Sequence, residues 1–153
     1  MGIEIERKFL VIGDAWKLGV MPEHLIQGYL NRDKLRTVRV RVANDQAWLT
    51  IKGKSEGATR AEFEYPIPLD DARQLLGLCD GPLVEKYRWR LPQGELVWEI
   101  DEFLGDNAGL VVAEIELSSE DLAFDKPGWV GAEVTDDARY FNSSLASRPY
   151  RAW

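Results

Sequence analysis

The sequence predicts a mainly β protein of the α+β class: a closed, eight-stranded antiparallel β-barrel with a few helices packed outside. Polar and apolar residues alternate with a period of two in eight separate segments, which is the pattern of β-strands. The polar positions are almost all ionic, and like charges recur two residues apart. With 153 residues, the chain is long enough to bury one sizeable core, so we expect a single domain over residues 1–153.

Each predicted strand carries charged side chains on one face and apolar side chains on the other. The first strand sets Glu4, Glu6 and Lys8 against Ile5 and Phe9. The same alternation places arginines opposite valines in the third strand and glutamates opposite aromatic residues in the fifth. The eight predicted strands cover residues 3–12, 25–31, 37–41, 48–52, 61–65, 84–91, 97–101 and 110–117.

Helical periodicity predicts three short helices among the strands. They cover residues 70–78, 119–124 and 136–146. The last would begin at Thr135, whose hydroxyl is a suitable N-cap, with acidic residues in its first turn. We expect these helices to cover apolar outer faces of the barrel.

The charged faces indicate what an enclosed interior would bind. Taken singly, each is also typical of a solvent-exposed sheet. Same-sign pairs such as Glu4 with Glu6, or Arg39 with Arg41, are unusual on a surface that serves only solubility, where both signs are interspersed.

An eight-stranded barrel has room inside for side chains or one small ligand, and buried charges must be paired. Basic side chains favour an oligo-anion, while paired carboxylates favour a hard cation such as Mg²⁺ or Mn²⁺. A polyphosphate with bound metal satisfies both.

Composition argues against several other classes of protein. The net charge of −7 argues against general nucleic-acid binding, which needs a basic surface. No apolar run approaches the roughly 20 residues of a membrane-spanning helix. Cys79 is the single cysteine, which fits a reducing compartment, so we expect a cytoplasmic protein. His24 is the single histidine and lies near a proline at a strand start, so we predict no histidine-based catalysis.

Several of these segments, taken in order, resemble the motifs of the CYTH superfamily, the triphosphate tunnel metalloenzymes. The first strand resembles the ExExK signature of that family. Further matches follow along nearly the whole chain: Gln27-Gly28-Tyr29-Leu30, Arg39-Val40-Arg41, Thr50-Ile51-Lys52-Gly53, Glu62-Phe63-Glu64, Lys86-Tyr87-Arg88, Glu99-Ile100-Asp101 and Glu114-Ile115-Glu116.

This resemblance implies an eight-stranded antiparallel tunnel and a metal-dependent triphosphatase with Mg²⁺ or Mn²⁺ as cofactor. Members of this size are most similar to inorganic tripolyphosphatases, which cleave tripolyphosphate to pyrophosphate and phosphate. Thiamine or nucleoside triphosphate hydrolysis and adenylyl cyclase activity are alternatives within the family. A non-catalytic polyphosphate-binding protein is the alternative from another class.

The resemblance also assigns expected roles. Catalysis is assigned to Glu4, Glu6, Lys8, Arg39, Arg41, Lys52, Glu114 and Glu116. Phosphate binding is assigned to Lys8, Arg39, Arg41, Lys52, Lys86 and Arg88. Metal binding is assigned to Glu4, Glu6, Glu62, Glu64, Glu114 and Glu116. Weaker candidates for the site are Asp101, Glu99 and Tyr29.

The aromatic residues help to choose among the triphosphates. Trp48, Trp89 and Trp98 fall on or beside apolar strand faces, so they are expected to pack outside the barrel. A nucleobase or thiazolium ring needs a stacking platform, whereas a bare polyphosphate needs cations and metal. The pattern therefore favours inorganic tripolyphosphate, and uncovered apolar outer faces make a homodimer a further candidate.

Overall fold

The structure is a computed structural model that describes residues 2–17 and 19–153. Nine strands form one antiparallel sheet in the order β5-β4-β3-β2-β6-β7-β8-β1-β9, and an additional β5–β1 pairing closes the first eight into a barrel. The strands are β1 Ile3–Val11, β2 Glu23–Asn31, β3 Arg36–Ala43, β4 Gln46–Gly53, β5 Thr59–Pro66, β6 Val84–Gln93, β7 Leu96–Phe103, β8 Val111–Glu116 and β9 Val130–Glu133. The predicted closed barrel is confirmed, and each of the eight predicted strands has a counterpart.

The helices are α1 Leu69–Leu76 and α2 Asn142–Ser147. Short 3₁₀ turns are Ala15–Lys17, Gly105–Asn107, Ala138–Tyr140 and Tyr150–Ala152. Neither helix of the described residues is long and apolar enough to cross a membrane.

The ninth strand was not predicted, and its position explains how the barrel closes. Residues Ile3 to Ile5 of β1 pair with β5, whereas Phe9 and Val11, farther along β1, pair with β9. Because β8 occupies the opposite edge of β1, β5 and β9 share the remaining edge, one along each half. A four-residue strand that pairs with β1 at two positions is too short to give a clear alternation signal.

Most of the apolar core lies outside the barrel, as the alternation predicts. One cluster contains Phe9, Trp89, Trp98 and Ile115, onto which the 3₁₀ turn at Trp16 packs. A second is formed by β3 and β4 residues under Ala72 of α1.

A third apolar cluster lies at one end of the barrel interior and corrects the prediction that all helices pack outside. Val84, Phe103 and Val112 stand on the same strand faces as the charged residues, and Leu145 of α2 packs on them. Since side chains alternate along a strand, these residues point inward. The C-terminal segment therefore covers an end of the barrel.

The predicted helix over 136–146 is wrong in its first half. Thr135 does not cap a helix, because its hydroxyl accepts from the Lys8 backbone N–H at 3.0 Å and donates to Glu133 at 2.6 Å. The chain is thus tied to β1 at this point, a 3₁₀ turn follows, and the helix begins at Asn142.

The predicted helix over 119–124 is also wrong. Residues around Ser119 make one turn, with the Leu122 N–H donating to the Ser119 carbonyl at 3.3 Å. The chain then extends, which brings the Phe124 ring to 5.8 Å from Trp98 and 6.2 Å from Phe9. Packing of this aromatic side chain on the outer core overrides the weak local helix preference.

Candidate active site

One cavity of about 210 Å³ lies inside the barrel, and nearly every strand contributes a charged residue to it. Its acidic lining consists of Glu4, Glu6, Glu62, Glu64, Glu99, Glu114 and Glu116. Its basic lining consists of Lys8, Arg39, Arg41, Lys52, Arg60, Arg88 and Arg90. The seven acids balance the seven bases in formal charge. A polyanion alone would leave this cavity negative, so the lining favours a polyanion accompanied by cations.

All but two of the residues predicted for the site line this cavity. The two exceptions, Lys86 and Asp101, are fully buried behind its wall. Tyr29 both lines the cavity and packs in the apolar cluster under α2. The alternation thus identifies the inward face but not how deep each residue sits.

Pairing of β1 with β8 brings the first and last acidic motifs together. Glu6 lies opposite Glu116, and Lys8 lies opposite Glu114. In the neighbouring pair of strands, β7 and β8, Glu99 lies opposite Glu114. Barrel closure therefore makes one site from residues more than 100 positions apart in the sequence.

Glu6 and Glu114 form the first close carboxylate pair. Burial, together with the neighbouring charges of Glu114 and Glu4, raises the pKa of Glu6 well above its usual range. Burial would also raise the pKa of Glu114, but Lys8 and a hydrogen bond from Glu6 hold it well below its usual range. Of the two carboxyl groups, Glu6 is therefore the one that is protonated more readily.

Glu4 and Glu62 form the second pair, on adjoining strands. Burial opposes ionisation of Glu4, but Lys52 at 3.2 Å, a hydrogen bond from Glu62 and nearby Arg60 lower its pKa to about 2. Burial and the charge of Glu4 raise the pKa of Glu62. Each pair therefore couples an ionised carboxylate with a carboxyl group that is easier to protonate.

These donors fit a divalent metal ion that substrate helps to hold. No group of three or more His, Cys, Asp or Glu side chains suitable for a metal is found in residues 2–17 and 19–153. Mg²⁺ typically takes one or two protein carboxylates and completes its shell with water and substrate phosphates. Buried oxygen donors in pairs match that chemistry, and a bound cation would relieve the repulsion that favours protonation of Glu6.

The arginines differ in how far their charge is compensated. Arg88 binds Asp101 through two hydrogen bonds of 2.7 and 2.9 Å. Arg39 donates to Thr50 at 3.2 Å and to Glu64 at 3.4 Å, while its Nε is buried and has no hydrogen-bond partner among residues 2–17 and 19–153. Burial and the charges of Arg39 and Arg88 lower the pKa of Arg41 to about 9. A group whose charge is disfavoured in this way gains from an anion in the cavity.

Lys86 and Asp101 support the wall rather than face the cavity. The Lys86 ammonium lies 2.6 Å from Asp101 and donates to Asn142 at 2.9 Å. Burial opposes ionisation of Asp101, yet Arg88 and Lys86 lower its pKa to about 2. Asp101 thus has two cationic partners and holds Arg88 in place. Asp101, a weaker site candidate from the sequence, stays a prediction, and in this structure its carboxylate pairs with Arg88 and Lys86.

Several cavity residues were missed by the sequence analysis. Arg60 follows the same alternation as Glu62 and Glu64 and could have been found that way. Phe141, Asn142 and Ser143 also line the cavity, at the start of α2. Lys8 donates to the Tyr140 carbonyl at 3.1 Å, next to them. No local signal marks these C-terminal residues, because tertiary folding alone brings them there.

Comparisons with known proteins agree with the resemblance. The model of the CYTH domain family matches residues 2–150. The chain is 51% identical over 152 residues to an inorganic triphosphatase of Acetivibrio thermocellus, covering 99% of this chain and 97% of that protein. It is 39% identical over 150 residues to an inorganic triphosphatase of Nitrosomonas europaea, covering 94% of this chain and 96% of that protein.

Solved structures share the architecture. A crystal structure of an inorganic triphosphatase matches with a TM-score of 0.64 at 35% identity, covering 94% of this chain and 93% of that one. A putative adenylate cyclase from Bacillus halodurans matches with a TM-score of 0.58 at 17% identity, covering 78% of this chain and 84% of that one. At that identity, the second match shows the shared fold alone.

Proposed function

The chain belongs to the CYTH domain family, and from that premise we propose that it hydrolyses linear triphosphates with a divalent metal ion. Inorganic tripolyphosphate, cleaved to pyrophosphate and phosphate, is the preferred substrate in this proposal. The observation that carries it is the balanced ionic cavity, in which buried cations lie beside close carboxylate pairs. Two relatives named inorganic triphosphatase, at 51% and 39% identity, support the same substrate.

The chain's own residues would act mainly by binding and charge stabilisation. The guanidinium groups of Arg39, Arg41 and Arg88 can each donate two parallel hydrogen bonds to phosphate oxygens. Lys8 and Lys52 add compact charges on two further strands. These cations would stabilise the charge that develops on the transferred phosphoryl group.

Carboxylates would hold the metal ion. The proposed ligands, direct or through water, are Glu4, Glu6, Glu62, Glu64, Glu114 and Glu116. Mg²⁺ or Mn²⁺ bound there would supply charge neutralisation between phosphate oxygens and Lewis-acid polarisation. Phe141 and the segment that follows would limit water access at their side of the cavity.

The size and lining of the cavity support the inorganic substrate over a nucleotide. Its volume of about 210 Å³ is below the about 300–1,000 Å³ typical of pockets for drug-sized ligands. Its aromatic lining residues are Tyr29, which also packs in the apolar cluster under α2, and Phe141, which immediately precedes α2. This arrangement offers no wide platform for a base.

A phosphate-release screen tests the proposal. Tripolyphosphate, thiamine triphosphate, ATP and pyrophosphate would each be assayed with Mg²⁺, with Mn²⁺ and with chelator. We expect the fastest release from tripolyphosphate and no release in chelator. Tight tripolyphosphate binding without turnover in either metal would instead identify a non-catalytic binding protein, and cyclic AMP as main product from ATP would identify a cyclase.

Location, domain extent and assembly complete the proposal. The lone Cys79 fits a reducing compartment, so we place the protein in the cytoplasm, with residues 1–153 acting as one domain. A homodimer stays a prediction. Ile3, Phe63 and Tyr65 are exposed on neighbouring strands and offer an apolar face that sedimentation velocity would test for self-association.

A further inference from the structure

Gln27 of β2 is a fully buried amide behind the cavity wall. Its carbonyl oxygen accepts from Arg41 Nε at 2.9 Å. Its amide nitrogen donates to the Tyr29 hydroxyl at 3.3 Å and to Asn142 Oδ1 at 3.4 Å. One side chain therefore touches an arginine, a tyrosine and the C-terminal segment, all three of which line the cavity.

Arg41 differs from four other cations that line the same cavity. Ion pairs within 4 Å join Lys8 to Glu114, Arg39 to Glu64, Lys52 to Glu4 and Arg88 to Asp101. Within the described residues, Arg41 forms no such ion pair, and the neutral Gln27 is its side-chain hydrogen-bond partner. Its charge is therefore not compensated by a carboxylate within 4 Å and is open to an incoming anion.

The contact to Nε also fixes how the guanidinium is oriented. Arginine has five N–H donors in a rigid planar fork. Arg41 Nε donates to Gln27 at the wall of the cavity. Because the guanidinium is planar and rigid, this hydrogen bond also sets the direction in which the N–H groups of the two terminal nitrogens point. A glutamate would fit the same space, but its charge would neutralise Arg41 before any phosphate arrives.

We propose that Gln27 is a positioning residue that orients Arg41 for the triphosphate while leaving the charge of Arg41 uncompensated. This inference rests on the proposed triphosphatase function. Gln27 touches no substrate in this scheme and acts through Arg41. Its contact with Asn142 Oδ1 links the same amide to the C-terminal segment, and Lys86 donates to that Asn142 oxygen at 2.9 Å.

The matched test compares Gln27→Glu with Gln74→Glu, the same amide-to-acid change on the exposed surface of α1. Tripolyphosphate affinity would be measured by titration calorimetry in chelator, and steady-state rates in Mg²⁺. We expect Gln27→Glu to weaken binding about tenfold, equivalent to about 1.4 kcal/mol, and to raise KM more than it lowers kcat. Gln74→Glu should match the unsubstituted protein in both assays. Unchanged affinity in Gln27→Glu would overturn the inference.

A second variant separates Arg41 from the C-terminal segment. Asn142→Ala removes the contact between the Gln27 amide and α2 and leaves the contacts to Arg41 and Tyr29 intact. We expect it to weaken tripolyphosphate binding less than Gln27→Glu does. An equal loss would show that Gln27 acts through the C-terminal segment and would contradict the proposed role.

Thermal unfolding without ligand distinguishes failure of this inference from failure of the proposed function. Gln27→Glu should unfold at a higher temperature than Gln74→Glu, because the half-buried Arg41, which has no ion pair among the described residues, gains a charged partner. If the unsubstituted protein neither binds nor cleaves tripolyphosphate, the proposed function fails, and this comparison still decides whether Arg41 is uncompensated. If the thermal unfolding midpoint of Gln27→Glu were at or below that of Gln74→Glu, the inference that the charge of Arg41 is uncompensated would be refuted.

Discussion

Asp101→Asn is expected to destabilise the barrel strongly, because Asp101 is the buried anion that two cations share. It accepts two hydrogen bonds from Arg88, at 2.7 and 2.9 Å, and lies 2.6 Å from the Lys86 ammonium. Both the Asp101 and Lys86 side chains are 0% exposed. Removing one partner of a buried ion pair typically costs about 3–5 kcal/mol, since the remaining charge stays buried. We therefore expect the free energy of unfolding to fall by about 3–5 kcal/mol.

The lowered pKa of Asp101 gives a second indication of how much its charge contributes to the free energy of unfolding. Its pKa is lowered from 3.8 to about 2, and each pKa unit corresponds to about 1.4 kcal/mol. Ionisation of Asp101 thus stabilises the fold by an amount on the order of 2–3 kcal/mol. Because the folded pKa is depressed, this contribution is present above the unfolded pKa and is lost as the pH falls from about 4 through about 2.

Urea unfolding followed by tryptophan fluorescence would measure the effect. The control is Asp137→Asn, which removes a 2.7 Å ion pair to Arg139 at the surface and should cost at most about 1 kcal/mol. The difference in stability between the unsubstituted protein and Asp101→Asn should narrow as the pH falls from 4 to 2. The role of Asp101 as a shared buried anion would be refuted if Asp101→Asn and Asp137→Asn lowered the free energy of unfolding equally. It would also be refuted if the difference between Asp101→Asn and the unsubstituted protein did not change with pH.

Three further outcomes test the site. Glu114→Gln should abolish divalent-dependent phosphate release while the protein stays folded, because it removes the ionised member of a buried carboxylate pair; full activity in this variant, or in chelator, would contradict the metal assignment. Arg39→Lys should lower kcat/KM for tripolyphosphate about tenfold by loss of bidentate binding, whereas Arg36→Lys, at an exposed position paired with Asp33, should be neutral in the same assay; equal rates in both would remove Arg39 from the site. In competing assays in one metal buffer, kcat/KM for tripolyphosphate should exceed that for ATP by about tenfold or more, which needs about 1.4 kcal/mol of differential stabilisation; equal or better use of ATP would contradict the predicted specificity.

Much of the fold and the cavity lining could be predicted because a β-strand has a simple side-chain period. Once Glu4 and Glu6 are assigned inward, alternation alone places Lys8 with them, and the same rule works on the other charged strands. It should also have found Arg60, two residues before Glu62. The predicted helices at 119–124 and 136–146 failed because they rested on local preference, which packing of Phe124 and hydrogen bonding of Thr135 outweigh.

Sequence by itself determined which residues point inward, since that is a local property of an extended chain, and it determined the ionic character of the interior. Tertiary structure alone decided which charges compensate one another. Asp101 could have been a metal ligand by its position in the pattern, but the β6–β7 register sets it opposite Arg88, behind the wall. Gln27 and Asn142 are 115 residues apart and meet because α2 folds over the end of the barrel. Such pairings depend on strand register and chain closure, which involve contacts between distant residues and leave no trace in local periodicity.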